Sequence, residues 1–340
     1  MATIKEVARK AKVSVGTVSN VVSGRVPVSA SLRERVERII HELNYQPDHV
    51  ARSLRSRCTQ TLGMVISDIT NPFFPLVIRG AEDAALEQGY MLTVFNTDDK
   101  LERERRVFAM LRSRRVDGVL AVVTPDSADA PHLKDMMGIG VPVVFLDRMP
   151  AKPKSDAVVV DNVKGASVCM RHLISMGHRR IGIISGSPRL QTAIDRLSGC
   201  RQALKEAGIR FDPELVREGD FRAESGYRMA KDLCLSHPRP TALFVANGTM
   251  GLGALKALQH LALKCPEDVA LAVFDDVPGG DVFHPTLTVV SQPAYELGHQ
   301  ATELLIKRIT GSMTSKAPIT LTLQPELLVR DSTMDRKRAR

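Results

Sequence analysis

The chain has 340 residues, 44% of them hydrophobic and 25% charged, with no tryptophan and a formal net charge of +9. That length and composition describe two or three soluble domains, and without an apolar run of about 18 residues there is no helical membrane span. Five scattered cysteines, with no CxxC or Cys/His cluster, favour buried thiols over a disulfide framework or a zinc site; no metal and no cofactor is expected.

The charge is informative once divided. Residues 1–60 hold eleven Lys/Arg against five Asp/Glu, residues 330–340 hold five against two, and the 269 residues between them balance. A neutral body with a basic end is expected where only the end meets a polyanion, although small basic segments also occur as solvated surface. The N-terminal stretch MATIKEVARKAKVS has no apolar signal-peptide core, so a cytoplasmic protein is expected.

The first predicted helix starts at Thr3, where Thr3 and Glu6 have capping-box spacing, and ends near Ala11-Lys12. Ser14 can cap a second helix running to about Val22, whose inward face is Val15, Val18 and Val21 or Val22. Only about three residues separate the two, so they cross steeply as a helix-turn-helix. A third helix follows Val28-Ser29, with Ser31 and Glu34 again at capping-box spacing and a stripe of Leu32, Val36, Ile39, Ile40 and Leu43. On the second helix Gly16, Thr17, Ser19 and Asn20 lie away from the valines. Short side chains let a helix approach a major-groove floor, and an asparagine amide can bond adenine in pairs. Ser14, Thr17 and the helix N-terminus suit phosphate. Singly, each residue is equally at home on an exposed helix; together with the charge they point to DNA. Next comes QPDHVARSLRSR (46–57), too short and charged to form a core, with one leucine, Leu54, among its cations.

From residue 61 apolar β runs alternate with amphipathic helices: TLGMVISD, YMLTVFNT, GVLAVV and PVVFLD, then after DAVVVDN a restart with IGIISG, ALFVAN and VALAVFDD. Such strands belong to parallel sheets covered on both faces, and the restart implies two similar lobes. The fold class is therefore α/β, with a helix-turn-helix head. No GxGxxG, P-loop or GxSxG occurs and the histidines are scattered, so no catalytic residue and no enzyme is expected. In parallel sheets ligands bind at the carboxyl ends of strands. Phe73, Phe74, Asp147, Asp161, Thr192, Arg196, Phe221, Asn247 and Asp275 sit at such ends. Acids there can equally cap helices or bridge lobes.

The motifs TIKEVARKAKVSVGTVSNVVSG, VSASLRERVERIIHELNYQPDHVARSLRS, TLGMVISDITNPFF and RRVDGVLAV resemble the LacI/GalR family of bacterial transcriptional regulators, and the resemblance runs nearly the whole chain. It implies a type I periplasmic-binding-protein body of two Rossmann-like lobes. The domains expected are a head (1–46), a hinge (47–60), an effector-binding and dimerisation body (61–330) and a disordered basic tail (331–340). Within the body one lobe spans about 61–161 plus 293–322, the other about 162–291 plus 323–330. The DNA contacts implied are Thr3, Ser14, Val15, Gly16, Thr17, Ser19, Asn20 and Tyr45. Many members carry arginine at the place of Asn20, so different bases should be read there. The resemblance makes 47–57 a segment that folds on operator DNA, with Ala51, Arg52, Ser53, Leu54 and Arg55 in the minor groove and Leu54 as the kinking wedge. Arg196, Asp275 and Asn247 match effector-contacting residues, and Phe221 matches a stacking ring of the purine-repressor branch. Leu190 stands where that branch has arginine, and Asn247-Gly248 lacks the usual second acid.

A homodimer on a palindromic double-stranded operator, controlled by a small-molecule effector, follows from the resemblance. Sugars are the family's commonest effectors, so a sugar or sugar derivative is expected. No membrane partner is expected. A sugar carrier of a transport system and a general architectural DNA protein are the alternatives; the basic head counts against the first, and equal affinity for palindromic and random duplex would mark the second.

Overall fold

The computed structural model describes residues 2–334 apart from 24–25, 46–57, 126–129, 151, 153, 281, 283, 314 and 316. The hinge residues Ala51, Arg52, Ser53, Leu54 and Arg55 lie outside the described residues, as does the tail beyond Met334. The chain divides into two compact units, Met1–Thr59 and Gln60–Arg340.

In the first unit, α1 (Ile4–Ala11) begins at the expected capping box: Glu6 N–H donates to Thr3 Oγ1, and Thr3 N–H donates to Glu6 Oε2 at 2.8 Å. Lys12, left-handed at φ 54°, closes it. Ser14 then opens α2 (Val15–Ser23), its hydroxyl accepting the Thr17 N–H at 3.0 Å. The third helix, α3 (Ala30–Glu42), corrects one expectation. Ser29 occupies the N-cap and makes no side-chain cap bond, so Ser31 falls inside the first turn and cannot form a box with Glu34. Valine and isoleucine dominate the shared core, with Val7, Ala8, Ala11, Val18, Val21, Val36 and Ile39 buried.

The second unit holds two six-stranded sheets. The first has the order β11-β5-β4-β3-β1-β2, built from β1 (Thr61–Ile66), β2 (Met91–Asn96), β3 (Gly118–Ala121), β4 (Val143–Leu146), β5 (Asp156–Val160) and β11 (Thr320–Leu323). The second has the order β12-β10-β9-β8-β6-β7, built from β6 (Ile181–Ser185), β7 (Val216–Glu218), β8 (Ala242–Val245), β9 (Ala270–Phe274), β10 (Thr288–Ser291) and β12 (Glu326–Leu328). Each sheet thus repeats one order, with its second strand at the edge, and all pairings are parallel except β10 with β12. The chain crosses between the sheets after β5, after β10 and between β11 and β12.

Helices cover both faces. On the first sheet α4 (Phe73–Glu87) and α11 (Ala294–Ile309) share a core around Leu62, Met64 and Leu120. On its other face, α5 (Leu101–Ser113) and α6 (Pro131–Gly138) pack over Val65, Val119 and Phe145. The second sheet carries α7 (Asn162–Ser175), α8 (Gln191–Glu206), α9 (Ala223–Leu235) and α10 (Gly248–His260). Gly251 and Gly253, in the GLG run, are packing residues: a Cβ on Gly253 would lie 2.0 Å from the Ala223 carbonyl oxygen.

The tail begins later than expected. Asp331–Thr333 form a 3-10 turn with Ser332 and Thr333 buried. Ser332 Oγ accepts from Thr288 N–H at 2.8 Å and donates to the Leu271 carbonyl at 2.6 Å, tying the turn to β9 and β10. A reading by charge alone overlooks these hydroxyls, which complete hydrogen bonds near the starts of two interior strands.

Candidate functional site

The carboxyl ends of the strands of both sheets converge on one cleft. Asn71, Phe73 and Phe74 follow β1; Asp147 and Arg148 follow β4; Thr192 and Arg196 lie in the first turns of α8 after β6. Phe221 follows β7, Asn247 follows β8, Asp275 follows β9 and Gln292 follows β10. Eight of the ten expected effector residues therefore share a single site.

The other two do not line it. Asp161 caps α7, its carboxylate accepting the Lys164 N–H at 2.9 Å. Leu190 stands at the N-cap of α8 and is buried without lining the cleft. Gln292, which sequence reasoning missed, ends the run LTVVSQ just as Asp275 ends VALAVFD; the same strand-end rule could have found it.

Electrostatics organise the cleft. Arg196 is buried, its guanidinium 3.8 Å from the centre of the Phe274 ring. Its Nε donates to Asn162 Oδ1 at 2.7 Å and its Nη1 to the Ala246 carbonyl at 2.6 Å, while Asp275 Oδ2 lies 4.0 Å away. Asp275 also accepts from Gln292 Nε2. Arg148 reaches out of the cleft to Asp99 Oδ1 at 2.6 Å and lies 3.5 Å from Asp147. Burial pushes the Asp147 and Asp275 carboxyls above their usual range, and the arginines only partly offset this. Burial likewise pulls Arg196 down, with Asp275 and Asp147 pulling it back up. Each charge is thus held against desolvation by its neighbours.

Two buried polar atoms of the cleft, Arg148 Nε and Gln292 Oε1, make no hydrogen bond. Its backbone is strained as well. Asp147, Phe221 and Asp275 have φ of 60°, 66° and 74°, and Asp99, the partner of Arg148, has 55°. Left-handed non-glycine residues are costly and gather where a side chain must be aimed. Gly186, just after β6, makes room for one of them: a Cβ there would lie 2.2 Å from the Phe221 ring. Free space in the cleft is only about 20 Å³. That space is too small for a ligand of several carbons in this closed arrangement.

A larger cavity of about 800 Å³ adjoins the cleft through Phe73, Asp275 and Gln292. It is lined mostly by apolar groups such as Pro72, Pro75, Leu76, Val277 and Pro278, and its Arg330 and Asp276 pair with each other at 2.8 Å. Of the two unmet polar atoms, Arg148 Nε belongs to the closed cleft alone, while Gln292 lines both spaces.

In the head, Ser14 and Gly16 are exposed at the N-terminus of α2, with Thr17, Ser19 and Asn20 partly exposed beside them. Ser14 and Thr17 hydroxyls lie 2.9 Å apart. Val15 and Tyr45 are partly buried against the head core, and Thr3 is exposed as the α1 cap. With no acid in the first turn of α2, the helix dipole there is left to an anion.

Comparison with known proteins gives these two sites a common context. Residues 3–48 match the family described as "Bacterial regulatory proteins, lacI family", and residues 170–333 match a "Periplasmic binding protein-like domain". The HTH-type transcriptional repressor PurR of Vibrio vulnificus (strain CMCP6) is 36% identical, covering 98% of each chain. The transcriptional regulator CelR, solved as its cellobiose complex, is 34% identical with a TM-score of 0.75, covering 98% of this chain and 100% of that one. The lac repressor dimer bound to operator and the anti-inducer ONPF is 27% identical with a TM-score of 0.87, covering 98% and 99%. The chain belongs to the LacI family of bacterial regulatory proteins: it is a DNA-binding transcriptional repressor controlled by a small-molecule effector.

Proposed function

We propose that the effector is an uncharged polyhydroxyl compound, a sugar or sugar derivative. The observation that carries this reading is the pairing of two buried carboxylates, Asp147 and Asp275, with arginines already engaged elsewhere. Carboxylates accept from vicinal hydroxyls, Gln292 Oε1 accepts another, and Arg148 Nε and Thr192 can donate. Phe73, Phe74 and Phe221 offer faces to a sugar's C–H groups. An anionic ligand would meet two carboxylates with no uncommitted cation. The similar CelR, solved with cellobiose, agrees with this class.

The repressor acts in the cytoplasm as a homodimer on a palindromic operator, since two-fold symmetry in the protein is mirrored in its site. The lac repressor dimer on operator, similar over nearly the full chain, supports that assembly. Thr3, Ser14, Gly16, Thr17, Ser19 and Asn20 face the DNA, with Val15 and Tyr45 supporting them. Residues 47–57 carry the signal, with Leu54 as the wedge. Closure of the lobes on the effector changes the spacing of the two hinge segments.

A thermal-shift screen of the full chain against neutral sugars, sugar acids and nucleobases tests the effector class. A ligand at about 100 times its Kd adds about 2.7 kcal/mol of stability. We expect a neutral sugar to raise the Tm; a rise only with nucleobases or sugar acids would overturn the reading.

A further inference from the structure

The body balances its charges in sum, but not in space. Residues 101–115, α5 and the turn after it, read LERERRVFAMLRSRR, and Arg103, Arg105, Arg106, Arg112, Arg114 and Arg115 are all exposed. The two acids of the stretch offset little of this. Glu104 is fully buried, accepting from Thr124 N–H at 2.7 Å and lying 2.6 Å from His132 Nε2. Glu102 is exposed and joins no ion pair among the described residues. Arg103 pairs with Asp98, whereas Arg105, Arg106, Arg112 and Arg114 make no ion pair among the described residues.

Elsewhere the same body balances its exposed helices, pairing Arg79 with Asp83 on α4 and Lys307 with Glu303 on α11. On α5 that device is missing. Arg103 and Arg106, three residues apart, repel, and cations near a helix N-terminus oppose its dipole. Val107, Phe108 and Leu111 are buried and fix the helix, so the arginines stay on its solvent side, Arg106 at the crest, Arg103 and Arg114 along one flank and Arg105 and Arg112 along the other. Guanidinium groups present paired N–H donors that fit phosphate. From Arg103 to Arg112 the helix rises about 14 Å at 1.5 Å per residue, the length of about four base pairs.

We propose that the α5 ridge binds the phosphodiester backbone of duplex DNA, as a second contact beyond the sequence read by the head. Duplex DNA is the polyanion this repressor meets whenever it works, which favours it over an acidic protein. Flanking DNA of the same duplex and a second duplex offer the same chemistry.

The test compares full-length wild type with an R105Q/R106Q/R112Q/R114Q variant and its all-lysine counterpart. Each is titrated with a random-sequence duplex of about 60 bp, over about 50 to 200 mM KCl. The glutamine variant should bind about tenfold or more weakly at the low end, with a log–log salt slope shallower by about two to four. The lysine variant should keep the wild-type slope. Thermal unfolding, expected unchanged, separates lost contact from lost fold. A duplex of about 15 bp, alone and with a separate competitor duplex, distinguishes flank from second-duplex binding. Equal slopes for wild type and the glutamine variant would overturn the proposal. So would competition by polyglutamate as effective as duplex at equal charge.

Discussion

Burial of charge sets what the cleft residues do. Asp147 is held above the ordinary carboxylate range chiefly by desolvation. A carboxyl so raised contributes stability below its unfolded pKa, and loses it as pH rises through the folded value. D147N should therefore unfold above wild type at pH 7, and the gap should close as pH falls through the folded value and be gone below about 4. Calorimetry across pH checks this; an unchanged gap would assign the effect to packing. Arg196 is embedded differently, stacked on Phe274 and bonded to Asn162 and Ala246. R196A should abolish the effector response and also cost about 3–5 kcal/mol, because Asp275 and Asp147 lose their counter-charge. Urea unfolding measures the cost, and DNA binding in the absence of effector should survive it. Buried thiols behave predictably: burial pushes Cys169 up to about 12, so it should resist maleimide in the native protein and react on unfolding.

At the level of elements, α4 and α11 touch backbone to backbone. A Cβ on Gly298 would lie 1.9 Å from the Val77 carbonyl oxygen, and one on Gly80 2.0 Å from that of Tyr295. G298A should force the helices apart and cost about 1–3 kcal/mol, read from the urea midpoint. Strand and helix order are legible in the chain because buried parallel strands are nearly continuous apolar runs. Strand ends are legible for the same reason, and Asp147, Asn247 and Asp275 can be assigned to one site from the runs they terminate. What escapes a linear reading depends on distance between segments. Asp161 ends a strand as Asp147 does, but its carboxylate turns onto the first turn of α7, and no local pattern separates the two. The Ser31–Glu34 spacing is present without the cap, since Ser29 has already started α3. The α5 ridge is hidden because a sum over 269 residues cancels charges that lie on different surfaces.

In the whole molecule, two sheets of identical strand order face one another across a cleft with room for about 20 Å³ of free space. Opening and closing is the motion such a duplicated body provides, and a regulator can couple it to DNA through the residues that follow the head. On this account Leu54→Ala lowers operator affinity and bends the duplex less; unchanged bending would remove the wedge from the mechanism. The most direct test of effector control uses a duplex selected from a random pool by the full chain. Its affinity is measured with and without the compound that raises the Tm, for wild type and for G186A, whose added methyl displaces Phe221. The account predicts that the compound shifts wild-type affinity by about tenfold or more, while G186A binds the same duplex equally well and ignores the compound. Equal shifts in both proteins, or loss of DNA binding by G186A alone, would contradict it.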